Sequence, residues 1–194
     1  MKKLLTLVAT VMAFATVFGQ TEVKINPVGA LFSSPDVSVE FAVSEAIGIE
    51  PYIGANWNKI TVNDVAYKST GVGYGLNGKY YFGPDKGIDK FYAGLYLRGG
   101  SSKFKSDSSS SNFNRDRLSL GLSLGYKWVS SKNIVFEIGA GLGRKLYSKY
   151  SNTSGTVDVS KIPLLNLDGF FKFAVGYRFG GGGSTETVSK KKKY

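Results

Sequence analysis

The feature that most constrains this chain is a strict alternation of residue types in its last predicted strand, Leu164 to Phe179. Every second residue from Leu165 onward is apolar or glycine, whereas Asp168, Lys172 and Arg178 occupy positions between them. Side chains alternate across a strand with a period of two residues, so one face is apolar and the other polar. The run exceeds the roughly nine to eleven residues that a tilted strand needs to cross a bilayer, while ordinary strands have about five or six. The segment is therefore predicted to cross a membrane.

The same alternation recurs along the chain and is cleanest where leucine fills every second position from Leu118 to Leu124. Pro27 lies inside the first of these segments and predicts a bulge or a local break, because proline lacks the backbone donor of a sheet. The eight predicted strands are Glu22 to Phe32, Val37 to Ser44, Ile47 to Trp57, Thr70 to Phe82, Lys90 to Gly100, Arg117 to Trp128, Ile134 to Tyr147 and Leu164 to Phe179.

Strands in lipid must pair all their backbone groups, which only a closed sheet achieves. After the N-terminal segment no stretch is apolar for eighteen residues, so no spanning helix is predicted. Eight strands also match the even number of bacterial barrels, and they enclose an interior that side chains can fill. The predicted fold is all-β, an eight-stranded antiparallel up-and-down transmembrane β-barrel with a plugged polar lumen.

The connections between the predicted strands differ in length. Those after the second, fourth and sixth strands are short, whereas Asn58–Ser69, Ser101–Asp116 and Ser148–Ile162 are long and polar. This asymmetry is typical of periplasmic turns and extracellular loops. The serine-rich Ser101–Asp116 loop is expected to be mobile. The first outer loop, Ser33–Asp36, is short.

Aromatic residues collect at the end that bears the short turns. Such a band is typical of a membrane interface, and Trp57 and Tyr147 fall near the opposite rim. The predicted periplasmic girdle consists of Phe82, Phe91, Tyr126, Trp128, Phe136, Tyr177 and Phe179.

Charged residues fall on the opposite, inward face of the predicted strands. Buried charges need partners, so these residues, together with Lys24, are expected to form ion pairs that plug the lumen. The pairs either fix register and packing alone, or they line a gated path for protons or ions. The predicted lumen network consists of Glu40, Glu50, Glu137, Asp168, Lys79, Arg98, Arg117, Lys127, Lys172 and Arg178.

The two ends of the chain differ from its body. Residues 1–19 combine basic Lys2 and Lys3 with an apolar core, which predicts a secretory signal peptide cleaved before Gln20. The barrel domain is assigned to residues 20–179. Residues 180–194 begin with glycines and end in lysines, which predicts a flexible basic tail in the periplasm.

The chain has no cysteine and no histidine. Disulfides, thiolate metal sites and cysteine nucleophiles are thereby excluded. Known outer-membrane barrel enzymes use an active-site histidine, so the prediction is a protein that is not an enzyme, with no catalytic, cofactor or metal site. The formal charge of +11 belongs to lumen, loops and tail on this interpretation, and no nucleic-acid partner is expected.

The body from Glu22 to Phe179 resembles small bacterial outer-membrane barrels of the OmpA transmembrane-domain and OmpX type. The opening KINPVGALF, residues 24–32, is similar to an outer-membrane β-barrel family of unknown function that begins with Asn-Pro-x-Gly. The final Tyr-Arg-Phe resembles the signal that the barrel-assembly machinery reads. These resemblances imply a monomer in a Gram-negative outer membrane, in contact with lipid and lipopolysaccharide, with long loops extracellular and termini periplasmic.

The predicted function is that of a non-enzymatic integral outer-membrane protein with a structural or surface-interaction role. Basic residues in the outer loops suit anionic sugar-phosphate groups, namely Lys103, Lys105, Arg115, Lys149 and Lys161. Two alternatives stay open: a narrow, porin-like pore or transporter for small solutes or ions, and a soluble secreted binding barrel similar to lipocalins.

Overall fold

The alternating segments form long strands in the computed structural model, which describes residues 19–62, 65–106, 112–152, 155–158 and 166–180. One short helix, α1 (Pro27–Leu31), follows the first strand. The strands are β1 (Gln20–Ile25), β2 (Asp36–Ala42), β3 (Ile47–Val62), β4 (Val65–Tyr81), β5 (Lys90–Ser106), β6 (Asn112–Val129), β7 (Ile134–Asn152), β8 (Gly155–Asp158) and β9 (Leu167–Gly180).

Eight of these strands close into one ring. Each of the strands β1 to β6 pairs antiparallel with the strand that follows it in the chain. Strand β9 closes the ring because it pairs with β7 on one side and with β1 on the other. Among the described residues, strand β8 pairs only with the last residues of β7, and it lies outside the ring. The prediction of an all-β, up-and-down arrangement of eight antiparallel strands is confirmed at this level.

The charged face of the strands points into the ring. Lys79 on β4 contacts Glu137 on β7 at 2.6 Å, although β5 and β6 separate these strands along the wall. Glu137 is fully buried, whereas the outward Leu122 and Leu142 are 65% and 78% exposed. The inside of the ring is thus polar and its outside is apolar.

The two ends of the ring differ in their connections. Short turns join β2 to β3, β4 to β5 and β6 to β7 at one end, which we call the turn end. Asn133 adopts a left-handed conformation (φ 62°) in the β6–β7 turn, which asparagine tolerates well. At the other end, the hairpin end, paired strands continue outward.

The predicted long loops are wrong in part, because most of their residues belong to strands. Strands β3 and β4 stay in register up to Val62 and Val65, and β5 continues to Ser106 while β6 starts at Asn112. In the β5–β6 hairpin the outward residues, such as Lys103 and Asn114, are polar, so the apolar outward face that identified the strands is absent there. Residues 107–111 of the serine-rich loop lie outside the described residues.

The first predicted strand is also wrong beyond Ile25. Asn26 caps helix α1 by accepting a hydrogen bond from the Gly29 backbone at 2.9 Å, and Pro27 occupies the first helical turn. Proline is favourable there because its fixed φ suits a helix and its missing donor would be unpaired anyway. The break expected at Pro27 is therefore a capped helical turn.

Two further predictions concern segments that are almost wholly outside the described residues: the signal peptide over residues 1–19 and the tail over residues 180–194. Among the residues that the structure describes, no helix has both the length and the apolar character required to cross a bilayer.

Candidate functional site

The turn end of the ring is closed by the β4–β5 turn, which folds under the strands. Ile88 of this turn is fully buried and packs against Tyr81 and Tyr92. Its backbone donates to the Gln20 side chain at 3.2 Å, and its carbonyl accepts from Arg178 at 3.0 Å. The turn therefore forms a floor beneath the interior.

The turn that carries Ile88 is itself held in shape by Asp89. The Asp89 carboxylate accepts hydrogen bonds from the backbone of Asp85 at 2.8 Å and of Lys86 at 3.2 Å. The Lys86 carbonyl in turn accepts from Gln20 at 3.0 Å and from Arg178. Because both ends of the turn are bonded to the ring, the floor is part of the packed structure.

Lys24 lies at the centre of a buried ion-pair network above this floor. Its ammonium group contacts Glu40, lies 2.5 Å from Glu137 and 2.8 Å from Glu50, and is 3.7 Å from Glu22. Lys24 reaches these partners because β1 places it on the inward face with Glu22. One cation thus joins carboxylates from β1, β2, β3 and β7.

Lys79 from β4 and Lys127 from β6 complete the network from the opposite wall. Lys79 lies 2.6 Å from Glu137 and 3.1 Å from Glu40. Lys127 is 2.8 Å from both Glu22 and Glu40. Both lysines are fully buried, so each carries its charge among carboxylates in place of water.

Neutral side chains fill the remaining hydrogen-bonding positions of the glutamates. The Tyr81 hydroxyl donates to Glu40 at 2.5 Å, and the Tyr92 hydroxyl donates to Glu137 at 2.8 Å. Lys127 lies 4.5 Å from the centre of the Tyr81 ring, within the range of a cation–π contact. The glutamates are therefore bound by both cations and hydroxyl donors.

Seven of the predicted lumen residues are brought together in this network: Glu40, Glu50, Glu137, Lys79, Lys127, Lys172 and Arg178. Arg98 and Asp168 form a separate and longer contact of 3.6 Å nearer the hairpin end. Arg117 points inward beside Gly100, and no carboxylate of the described residues lies within 4 Å of it.

The sequence reasoning missed Glu22, which binds Arg178 at 2.5 Å and Lys127 at 2.8 Å. Glu22 lies two residues before Lys24, and residues two apart in a strand point to the same face. This spacing could have placed Glu22 inside the ring. It also missed Gln20, whose side chain ties the floor to the ring. No local pattern marks that role, because the partner turn lies more than sixty residues away in the chain.

The three carboxylates of Glu40, Glu50 and Glu137 offer oxygens within 4.8 Å of one another, a spacing that suits a metal ion. The ammonium groups of Lys24 and Lys79 already lie among these oxygens, at 2.5–3.1 Å from most of them. Lysine ammonium therefore neutralises these carboxylates and occupies the position that a cation would take.

A cavity of about 320 Å³ lies above the network, toward the hairpin end. Tyr52, Arg98 and Lys172 line its inner part, while Val28 and Phe32 line the part beside α1. The Arg98 guanidinium lies 4.9 Å from the centre of the Phe170 ring and donates from Nε to the Tyr52 hydroxyl at 3.1 Å.

The profile of one protein family, described as Protein of unknown function (DUF3575), matches residues 3–175. The chain belongs to this family. The match covers α1 and most of the ring, and it ends at Val175 within β9, so Arg178 of the network lies beyond it. No curated protein matches the chain significantly.

The predicted girdle residues of this DUF3575 member lie on the outer face at the turn end. Neighbouring rings contact one another: Phe82 and Phe91 at 5.6 Å between centroids, and Tyr126 and Trp128 at 4.6 Å. Tyr177 and Phe179 form a further pair at 5.0 Å. Phe136 pairs across the strands with Trp128. The seven residues thus form a band on the β4, β5, β6, β7 and β9 part of the wall.

Proposed function

We propose that this DUF3575 protein is an integral outer-membrane β-barrel, non-enzymatic, with a structural or surface-interaction role. The observation that carries the proposal is the reversed polarity of the ring. Its interior holds ion pairs between fully buried side chains, while leucines such as Leu122 and Leu142 are exposed outside. Soluble proteins rarely expose large apolar surfaces, whereas lipid is the natural solvent for one.

The height of the apolar outer band supports a bilayer as that solvent. On β6, alternate outward residues are apolar from Leu118 to Trp128. Ten residue steps span about 33 Å along a strand, or about 25 Å along the axis of a barrel whose strands tilt by about 40°. The apolar band of outer-membrane barrels has a height of about 25 Å. The aromatic band at the turn end would then mark one interface.

The filled turn end favours a structural or surface role over the pore alternative. The network fills the turn-end half with paired charges, and the floor that contains Ile88 closes the ring beneath it. A soluble lipocalin-like barrel would need apolar side chains inside, where this ring places Glu40, Lys79 and Lys127. Neither alternative draws support from the inward residues.

The hairpin end supplies a surface that suits interaction. Phe104 and Phe113 stack at 4.5 Å between ring centroids on the inward side of the β5–β6 hairpin, and Arg115 lies 5.3 Å from the Tyr150 ring. Lys103 and Lys105 are exposed on the same hairpin. Basic and aromatic groups together suit the anionic sugar-phosphates of lipopolysaccharide. Lys161 lies outside the described residues.

The proposal is tested by refolding the urea-unfolded chain into lipid vesicles. Success gives a band that migrates differently before and after boiling and that resists protease. Leu122→Arg places a charge in the middle of the outer band and is expected to destabilise the folded form by about 2–4 kcal/mol. Asn114→Arg, on the same strand and face but beyond the band, is the matched control, with an expected effect of about 0–1 kcal/mol.

Two outcomes would overturn the proposal: a chain that folds and stays soluble without lipid or detergent, or equal effects of the two arginine variants. Planar-bilayer recordings of the refolded protein separate the sealed barrel from the pore. The sealed barrel gives no discrete single-channel steps, and reproducible steps would favour the pore.

A further inference from the structure

The wall of the ring is incomplete at the hairpin end. β1 leaves β9 after the pair Ile25 and Val175, although β9 continues to Leu167. The chain after α1 follows β3 instead, with Ala55 donating to the Pro35 carbonyl at 3.1 Å and Trp57 to the Ser33 carbonyl at 2.9 Å. From Leu167 to Ala174, the edge of β9 that faces β1 has no paired strand among the described residues.

Helix α1 lies in this gap, where it contacts β9 but forms no part of the sheet. Its end is strongly apolar and exposed, since Leu31 is 82% and Phe32 72% accessible. Unpaired backbone within a bilayer is costly, so an incomplete wall in a membrane barrel calls for a functional explanation.

The cavity above the network reaches through this gap. Phe170 and Lys172 of β9 point into the ring, whereas Phe171 between them points outward and is 63% exposed. All three line the same cavity, together with Val28 and Phe32 from α1. Because the cavity is lined both by the buried Tyr96 and by the exposed Phe32, it extends from the interior to the surface beside α1. The interior is therefore connected sideways to the outer surface between α1 and β9.

The two ends of the cavity differ in chemistry. Beside α1 the apolar Val28 and Phe32 line the cavity next to the polar Asn26, Ser34 and Asp36. At the inner end Arg98 and Lys172 bring positive charge, and Glu50 lies beside them. Lys172 is bound to Glu50 at 2.5 Å. Among the described residues, Arg98 donates only to the neutral Tyr52 hydroxyl and, at 3.4 Å, to the Gly169 carbonyl, and Asp168 lies 3.6 Å away. A guanidinium has five N–H donors, so Arg98 retains donors for a further acceptor.

We infer that this cavity binds one long-chain carboxylate, a fatty acid, which enters sideways from the lipid between α1 and β9. The carboxylate binds Arg98, and the alkyl chain lies against Val28, Phe32 and Phe171. The volume is at the lower end of small-molecule sites, roughly 300–1,000 Å³, and admits one chain but not a lipid with several. Sideways entry rests on the proposed function, because it requires the outer face to be in lipid.

Native mass spectrometry of the full folded protein, released from detergent micelles, tests the inference with dodecanoate as the probe. We expect one dodecanoate per chain, and at least tenfold weaker binding of dodecanol, which has the same chain without the charge. Arg98→Met should weaken dodecanoate binding about tenfold, while Lys132→Met in the distant β6–β7 turn should leave it unchanged. Val28→Trp fills the mouth of the cavity and should abolish binding without touching the charges.

A second readout uses the absence of cysteine from the chain. A single cysteine at Val28→Cys should react more slowly with a maleimide when dodecanoate is present. A cysteine at Leu142→Cys, on the exposed outer face of β7, should react at the same rate with and without it.

The inference is overturned if dodecanoate and dodecanol bind equally, if Val28→Trp binds as the parent does, or if dodecanoate protects both cysteines alike. Each sample is checked for the shift in gel migration on boiling. Protein that keeps this shift but binds no dodecanoate contradicts the inference alone, whereas protein without it contradicts the proposed function.

Discussion

The turn-end half and the hairpin-end half of the ring are built from the same strands but are stabilised differently. In the turn-end half all eight strands pair, and Lys24 and Glu40 are fully buried. In the hairpin-end half β1 has ended at Ile25, and the Arg98 side chain is 21% exposed beside a cavity. The central charges of the network are thus fully buried where the wall is complete, whereas Arg98 near the gap is partly exposed.

This difference separates two uses of inward charge. Where the wall is complete, each charge depends on its partners because no water replaces a lost contact. Where the wall is open, a charge with incomplete partners is stable and remains available to a ligand. Substitutions in the turn-end half should therefore alter stability, and those in the hairpin-end half should alter binding.

Glu40→Gln should have the largest effect on stability. The substitution removes the charge that Lys24, Lys79 and Lys127 share, and it leaves buried cations in excess. Breaking a buried ion pair in this way lowers the free energy of unfolding by about 3–5 kcal/mol. Urea unfolding of the lipid-inserted protein, followed by tryptophan fluorescence, measures the loss.

Glu45→Gln is the matched control, since Glu45 lies exposed in the β2–β3 turn. It should leave the urea midpoint unchanged. If the two glutamine variants unfold at the same urea concentration, the buried network does not stabilise the turn-end half.

Ile88→Ala should have the second largest effect. Ile88 is fully buried between Tyr81 and Tyr92, and a smaller side chain leaves a cavity in the floor. Losses of about 2–4 kcal/mol are expected for such a truncation. Ile134→Ala, on the outer face at the same end, should cost less because Ile134 is already 38% exposed. An equal cost for both would mean that the floor is not packed as described.

The sequence predicted much of this comparison, because a period of two identifies the inward face without any knowledge of neighbours. The sequence assigned the residues of β6 and β9 to the correct faces, and it placed the eight strands of the ring in the correct order. The ends of the strands were not predicted. Beyond the apolar band the outward residues of the β5–β6 hairpin are polar, so the apolar alternation ends before the pairing does.

The gap in the wall could not be predicted for a different reason. Pro27 signalled an interruption, but the sequence does not say whether the chain then returns to β9 or follows β3. Likewise, the alternation along each strand placed Glu40 and Glu137 inside the ring. Which lysines they share depends on how far each strand is shifted along the ring axis relative to strands distant in the chain. The separation of Arg98 and Asp168 from the network depends on the same register.

Asn26→Ala should have a moderate effect that is confined to the hairpin-end half. The Asn26 side chain caps α1 through Gly29 and also donates to Asp36 at 2.8 Å. Loss of a helix cap costs about 1 kcal/mol. Hydrogen exchange should quicken at the amides of residues 28–31 and stay unchanged in β7 opposite. Faster exchange throughout the ring would show that α1 and the complete wall form one cooperative unit.

Asp168→Asn should have the smallest effect on stability. It tests the comparison most directly because it should change binding while leaving stability almost unchanged. Asp168 lies 3.6 Å from Arg98, beyond hydrogen-bond distance, and accepts from the Tyr96 hydroxyl at 3.0 Å, which an asparagine oxygen also allows. Because Arg98 is partly exposed, the loss should stay below about 1 kcal/mol. Removing this negative charge should strengthen dodecanoate binding a few-fold, since Arg98 then has one competitor fewer. A loss as large as that of Glu40→Gln, or weaker dodecanoate binding, would mean that the charges in both halves serve the same structural purpose.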